Sequence, residues 1–202
     1  MEIRGDSCEF VDSFRSKEAP ALDEIFSTAR LTIRQLTDAD TPALFAIFSH
    51  PEVMRYWSSP PWTSLSQAEE RLTRVQEGYR SRSGYQWGIE RKEDRALLGT
   101  CSIFDIHEAS RRAEIGYALG RPHWGQGYMQ EALTGLVDYA FTTLNLNRLE
   151  ADIDPRNAAS AKTLERLGFQ KEGFLPERWI VGDEVSDTWL YGLLRRNWRG
   201  NA

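Results

Sequence analysis

The stretch RPHWGQGYMQEAL, from Arg121 to Leu133, sets Gly125 and Gly127 on either side of Gln126 just ahead of a helical pattern. Glycine weakens regular structure, so a pair at a helix mouth points to a conformation or an approach that a Cβ would forbid. A helix start presents unpaired N–H groups and the positive end of the helix dipole, which together attract an anion. The chemistry on offer is main-chain binding of a phosphate-bearing ligand; a tight turn without a ligand accounts for the same two glycines. Two nucleotide signatures are excluded. A dinucleotide fingerprint needs a third glycine where Gln130 stands, and Gly-Lys-Ser/Thr occurs nowhere in the chain.

Aromatic residues make a second candidate group. Tyr56, Trp57 and Trp62 crowd the proline-rich stretch HPEVMRYWSSPPWTS, and Trp87 follows on the next strand. They suit a pocket for an amine or a peptide end, and equally the packing of a core or lid. Cys8 and Cys101 form no CxxC pair, and His107 and His123 are too scattered to hold a metal, so no metal is expected. Cys101 reads as a small core residue.

A net charge of -5 argues against a nucleic-acid partner. No apolar run approaches the roughly 18 residues of a membrane span, and the N-terminus lacks a signal-peptide core. A reduced, cytoplasmic protein without membrane association is the expectation. The 202 residues suit one domain with a sizeable core.

Elements must position these residues. Residues 1–28 read as an extension, with a helix expected around Ala21 to Phe26, and residues 29–202 read as a single domain. RLTIRQL alternates as a first strand. Thr37 with Asp40, and Ser66 with Glu69, carry capping-box spacing ahead of two helices. YQWGIER, LLGTCSIFDI and RRAEIGYAL predict three strands in an antiparallel meander. From Met129, apolar residues recur at Leu133, Leu136, Val137, Ala140, Phe141 and Leu144, a helical stripe. RLEADID is then a strand, PRNAASAKTLERLG a helix closed by Gly168, and the remainder two strands around VGDE.

The blocks EIGYALGRPHWGQGYMQEAL and, after a strand, DPRNAASAKTLERLGFQKEG resemble the GNAT superfamily of acetyl-CoA-dependent N-acetyltransferases, most nearly its RimJ/RimL-like branch. The resemblance spans residues of about 29 to 198. It implies a mixed α/β fold whose twisted, mostly antiparallel sheet is opened by a central V-shaped splay and flanked by helices. It also implies direct acetyl transfer from acetyl-CoA to a primary amine, either a protein N-terminus or a small amine, by a monomer or homodimer. A coenzyme-A sensor without catalysis is the alternative.

In that family the loop amides hold the pyrophosphate of coenzyme A; the matching positions are Trp124, Gly125, Gln126, Gly127, Tyr128 and Met129. Trp124 and Met129 depart from the usual superfamily residues, as they commonly do in the branch. Asn157 matches an asparagine that contacts the pantetheine arm or positions the thioester, and a helix cap accounts for it too. Glu114 stands where relatives often carry a base on the central strand. Gly116 is an expected bulge, and a main-chain N–H from Ile115, Gly116 or Tyr117 would hold the thioester oxygen. The tyrosine that serves many members as an acid is Leu164 here, and Ser160 is the substitute that the branch suggests. Asp187 resembles an aspartate of the branch's final strand, with no role attached.

Overall fold

β-Branched and aromatic residues in short alternating runs make the strands, and three-to-four-residue apolar spacing makes the helices. A computed structural model describes residues 24–200. In chain order the elements are β1 (Glu24–Ser27), β2 (Leu31–Gln35), α1 (Thr41–Phe48), α2 (Pro51–Met54), α3 (Leu65–Ser81), β3 (Tyr85–Arg91), β4 (Leu97–His107) and β5 (Arg112–Leu119). There follow α4 (Tyr128–Thr142), β6 (Arg148–Ile153), α5 (Ala158–Arg166), β7 (Gln170–Val181) and β8 (Glu184–Leu194). The eight strands form one sheet in the order β1-β2-β3-β4-β5-β6-β8-β7. All neighbours are antiparallel except β5 and β6.

The sheet is covered on both faces. On one, α4 buries Leu133, Leu136, Val137, Ala140 and Phe141 of the expected stripe, together with Ala132, against Ile89, Ile103 and Ile115, while Leu144 falls beyond the helix end at Thr142. On the other, α1 and α3 bring Leu44, Phe48, Leu72 and Val75 together with Leu36 and Ala118.

Three local expectations are corrected. Glu24–Ser27 is a strand paired with β2, not part of a helix, because Ile25 and Phe26 pack on the central core and Phe26 stacks on Tyr139 at 5.8 Å; Ala21 to Asp23 lie outside the described residues. The capping box of α3 is Ser64 with Gln67, not Ser66 with Glu69: Ser64 has the extended backbone of a cap, whereas Ser66 already lies inside the helix. Gly116 carries no bulge, since β4 and β5 stay in register from Gly99↔Leu119 to Phe104↔Glu114. Its lack of a side chain has another cause: a Cβ there would stand 3.0 Å from the Ser102 hydroxyl and 3.1 Å from the Phe104 ring.

The splay arises at β5 and β6. They pair in parallel only at Arg112↔Arg148, Ala113↔Leu149 and Glu114↔Glu150. Beyond Glu114, β5 continues along β4 while β6 continues along β8 to Ile153↔Trp189, so the two strands separate.

A buried ion cluster fastens the first half of the sheet. Arg34 of β2 grips both Asp40 oxygens at 2.8 Å and Glu90 of β3 at 2.5 Å, and Arg95 reaches Glu90 at 2.8 Å. The Asp40 and Glu90 side chains are only 7% and 3% exposed, so neither carboxylate has water to fall back on. Removing the guanidinium in Arg34→Ala is expected to cost roughly 3 kcal/mol, measured as a lower urea midpoint at unchanged slope; a midpoint equal to that of the parent protein would contradict it.

Candidate active site

Where β5 and β6 part, the sheet opens into a cleft of about 1120 Å³. Strand alternation divides the β5 side chains between its two faces. Glu114 lies on the face of α1 and α3, opposite Phe104 and two pairs from Ser102↔Gly116. Tyr117, at odd spacing from Glu114, packs with Ile115 on the α4 side. Main-chain groups of Ile115 to Tyr117 have no β6 partner, and lie on the cleft wall between the two faces.

Glu114 lines the cleft. Burial, then the negative charges of Asp152 and Asp105, push its carboxyl up to about 7, against the pull of Arg178. A carboxyl so placed exchanges a proton near neutrality.

On the other face, Ser160 and Tyr117 form a pair with their hydroxyls 2.7 Å apart. Asn157 caps α5, its side-chain oxygen accepting from the Ser160 N–H at 3.1 Å, which fixes where Ser160 stands. Burial pushes the Tyr117 phenol up to about 12 against its bond with Ser160, so it stays protonated. Sequence reasoning points to Tyr117 only for its main chain. Leu164 is fully buried and contributes no polar group; the phenol comes from β5 instead.

The glycine loop closes the cleft mouth. Gly125 and Gly127 have φ of +73° and +80°, the left-handed region that glycine adopts without strain. The first helical bond of α4 runs from the Glu131 N–H to the Gly127 carbonyl at 3.1 Å. Among the described residues, no acceptor meets the N–H groups of Gly125, Gln126, Gly127, Tyr128 and Met129. A Cβ at Gly125 would project into open space, whereas one at Gly127 would meet Arg30 at 3.4 Å. The room for a ligand therefore lies over Gly125, and Gly127 serves the turn.

Two braces hold this loop. The Trp124 indole donates to the Leu119 carbonyl at 2.7 Å, tying the loop to the end of β5. Arg30 donates to the Gln126 carbonyl at 3.0 Å and to Glu131 at 2.7 Å, and lies over the Tyr128 ring at 4.4 Å. Glu131 also accepts from the Arg30 N–H at 2.8 Å and the Thr28 hydroxyl at 2.5 Å. Burial works against its charge, but Thr28 and Arg30 outweigh it and hold the carboxyl below its usual range. No local pattern announces this clamp, because its halves lie about a hundred residues apart in the chain.

The cleft collects Glu114, Ile115, Gly116, Tyr117, Trp124 and Gly125. Met129, Asn157, Ser160, Tyr56 and Trp57 line it as well, while Gln126, Gly127 and Tyr128 belong to the loop and helix start behind its wall. Two aromatics expected at the acceptor are elsewhere. Trp62 stacks on Phe48 at 4.7 Å, and Trp87 is 1% exposed in the core against Tyr85 and Tyr139. Both pack against other aromatic rings, Trp87 fully buried and Trp62 half-buried at the edge of the second core. Asp187 supports the backbone. It accepts at 2.8 Å from the N–H of Glu177, whose φ is +52° in the irregular part of β7. Among the described residues no group of His, Cys, Asp and Glu is arranged to hold a metal, and no helix is long and apolar enough to cross a membrane.

The site therefore joins a cleft at the fork of the sheet, loop amides without acceptors at a helix start, and a carboxyl that titrates near neutrality. The acetyltransferase (GNAT) domain family matches residues 30–170, and the chain belongs to that family. It is an acetyl-CoA-dependent N-acetyltransferase. An uncharacterized N-acetyltransferase of Bacillus licheniformis is 39% identical over 177 residues, covering 88% of this chain and 99% of the relative. The ribosomal protein uS5-alanine N-acetyltransferase of Escherichia coli is 26% identical, over 85% of this chain and 91% of its own. The structure of spermidine N-acetyltransferase from Vibrio cholerae in complex with CoA and spermine shares the fold at a TM-score of 0.75 and 23% identity, covering 84% of this chain and 98% of that one.

If the clamp holds the amides in place, Arg30→Ala should weaken acetyl-CoA binding about tenfold, the worth of one or two charge-assisted hydrogen bonds. Calorimetric titration reads this directly, and unchanged affinity would remove Arg30 from the cradle.

Proposed function

We propose that the donor and acceptor reach the splay from opposite faces of the sheet. The pyrophosphate of acetyl-CoA rests on the amides of residues 125–129, the Trp124 N–H being taken by the Arg121 carbonyl, and its pantetheine arm runs past Asn157 toward Ser160. The acceptor amine enters on the other face, past Tyr56 and Trp57, to Glu114. The observation that carries this reading is the position of Glu114, the last paired residue before the fork, with its carboxyl at about 7.

Glu114 takes the ammonium proton, directly or through water, and the freed lone pair attacks the thioester carbonyl. A C–N bond forms, the C–S bond breaks, and the thiolate leaves as coenzyme A. A main-chain N–H between Ile115 and Tyr117 holds the carbonyl oxygen as its charge develops. Ser160 passes a proton to the thiolate and is replenished by Tyr117, and the second proton that the nitrogen sheds as the intermediate collapses returns to Tyr117 through water in the cleft. No covalent enzyme intermediate is required. On this reading the protein works in the reducing cytoplasm, where a free thiol such as the buried Cys101 persists.

A base must be unprotonated to act, so turnover should rise as pH increases through about 7. Glu114→Gln is expected to lower turnover at least about tenfold near neutral pH, to abolish that rise, and to leave acetyl-CoA affinity intact by calorimetry. Unchanged turnover would remove Glu114 from the base role. A coenzyme sensor would instead bind acetyl-CoA, release no CoA on addition of amines, and ignore the substitution.

Thiolate is a good leaving group, so the proton donor contributes less than the base. Ser160→Ala should reduce kcat by about tenfold with a smaller change in KM for acetyl-CoA, measured by CoA release. An unaltered kcat would show that the thiolate leaves without this donor.

A further inference from the structure

Four arginines line the cleft, and they fall into two pairs. Arg156 is bound to Asp154 at 2.5 Å and Glu184 at 2.6 Å, and Arg178 to Asp152 at 2.8 Å. Arg71 and Arg74, three residues apart on α3, make no ion pair with any described residue. Arg71 is aimed rather than loose. Its Nε donates at 2.8 Å to the side chain of Gln86, which is 6% exposed, and Gln86 donates in turn to Thr100 at 3.2 Å. The Tyr79 hydroxyl donates to the Gln86 carbonyl and holds the same strand position. Burial and the neighbouring charge of Arg74 both pull the Arg71 pKa down, the mark of a cation without its counter-ion.

This site lies on the same face as Glu114. Gln86 is opposite Ser102, and Ser102 opposite Gly116, so two interstrand spacings, about 10 Å, separate the Arg71 anchor from the β5 backbone. The acceptor half of the cleft is thus bipolar, with Glu114 and Asp152 at the fork and unneutralised guanidinium groups under α3. With Nε committed to Gln86, the two terminal nitrogens of Arg71 are left for an incoming planar oxyanion.

We propose that the acceptor is a small zwitterionic amine whose carboxylate is held by Arg71, with Arg74 adding to the field, while its amine is held at Glu114. The inference rests on the acetyl-transfer reading of the same cleft and narrows its substrate class. A polyamine fits this chain poorly, because its second ammonium would stand against two arginines.

The test uses ε-aminocaproate, its uncharged amide and hexamethylenediamine as acceptors, read by CoA release. A parallel calorimetric titration of the CoA-loaded protein with the N-acetylated acid and the N-acetylated amide needs no turnover. The acid should exceed the amide by about tenfold or more in kcat/KM and in product affinity, and the diamine should be the poorest. Arg71→Gln should bring the acid-to-amide ratio close to one, Arg74→Gln should lower it less, and both should keep the parent affinity for CoA, which also shows that they fold. A ratio near one in the parent protein's binding titration, a diamine preferred over the acid, or a ratio that survives Arg71→Gln overturns the proposal. So does weakened CoA binding in folded Arg71→Gln, which would assign the guanidinium to the coenzyme's phosphates. Carboxylate-selective product binding without CoA release from any amine would uphold the anion site and count instead against Glu114-assisted transfer.

Discussion

Backbone hydrogen bonding does not let two strands simply drift apart, because each exposed N–H and C=O needs a partner. In this sheet β5 and β6 separate after three pairs because each is committed on its other side, β5 to β4 and β6 to β8. The antiparallel pairings hold both strands along their length, and the parallel pairing between them is the one that ends. What is left is a wall of main-chain groups at the centre of the protein, facing a cleft where water or an entering ligand can satisfy them. The cleft, the exposure of Glu114 to it, and the arrival of α5 beside β5 all depend on that early separation.

The fork also divides the chemistry by face. Side-chain alternation along β5 sends Glu114 one way and Tyr117 the other, so the raised carboxyl and the protonated phenol never meet. The negative cluster of Glu114, Asp152 and Asp105 is tolerable because Arg178 and solvent in the cleft offset part of the repulsion, and what remains keeps the Glu114 proton near neutrality. On the opposite face the charges are fixed dipoles, the open amides of the glycine loop, which suit a donor that brings its own negative charge. Arg30 and Glu131 brace that loop from behind, the guanidinium resting on the Tyr128 ring rather than in the cleft.

Much of this architecture is legible in the chain itself. The stripe on α4 follows from residues three and four apart, the loop from two glycines in left-handed conformations, and the Asn157 cap from its three-residue spacing to Ser160. The departures share a cause. Glu24–Ser27 is a strand because β2 offers an edge and Tyr139 a ring to stack on. Residue type alone points Trp62 and Trp87 to the acceptor, whereas ring packing against Phe48 and Tyr139 decides their place. Gly116 has the sequence signal of a bulge, but its smallness answers to two side chains of the neighbouring strand.

Local rules, then, determined most elements of this protein and the left-handed turn at its glycine loop, since capping, periodicity and backbone conformation act within a few residues. The resemblance of two linked blocks carried the family and placed Glu114, Asn157 and Ser160. Only the tertiary structure decided that Tyr117 joins Ser160, that Arg30 clamps a loop far along the chain, and that Arg71 and Arg74 stand without counter-ions across from Glu114. Those relations are set by strand order and by which face each side chain takes, and long-range pairing leaves no periodic trace in the sequence.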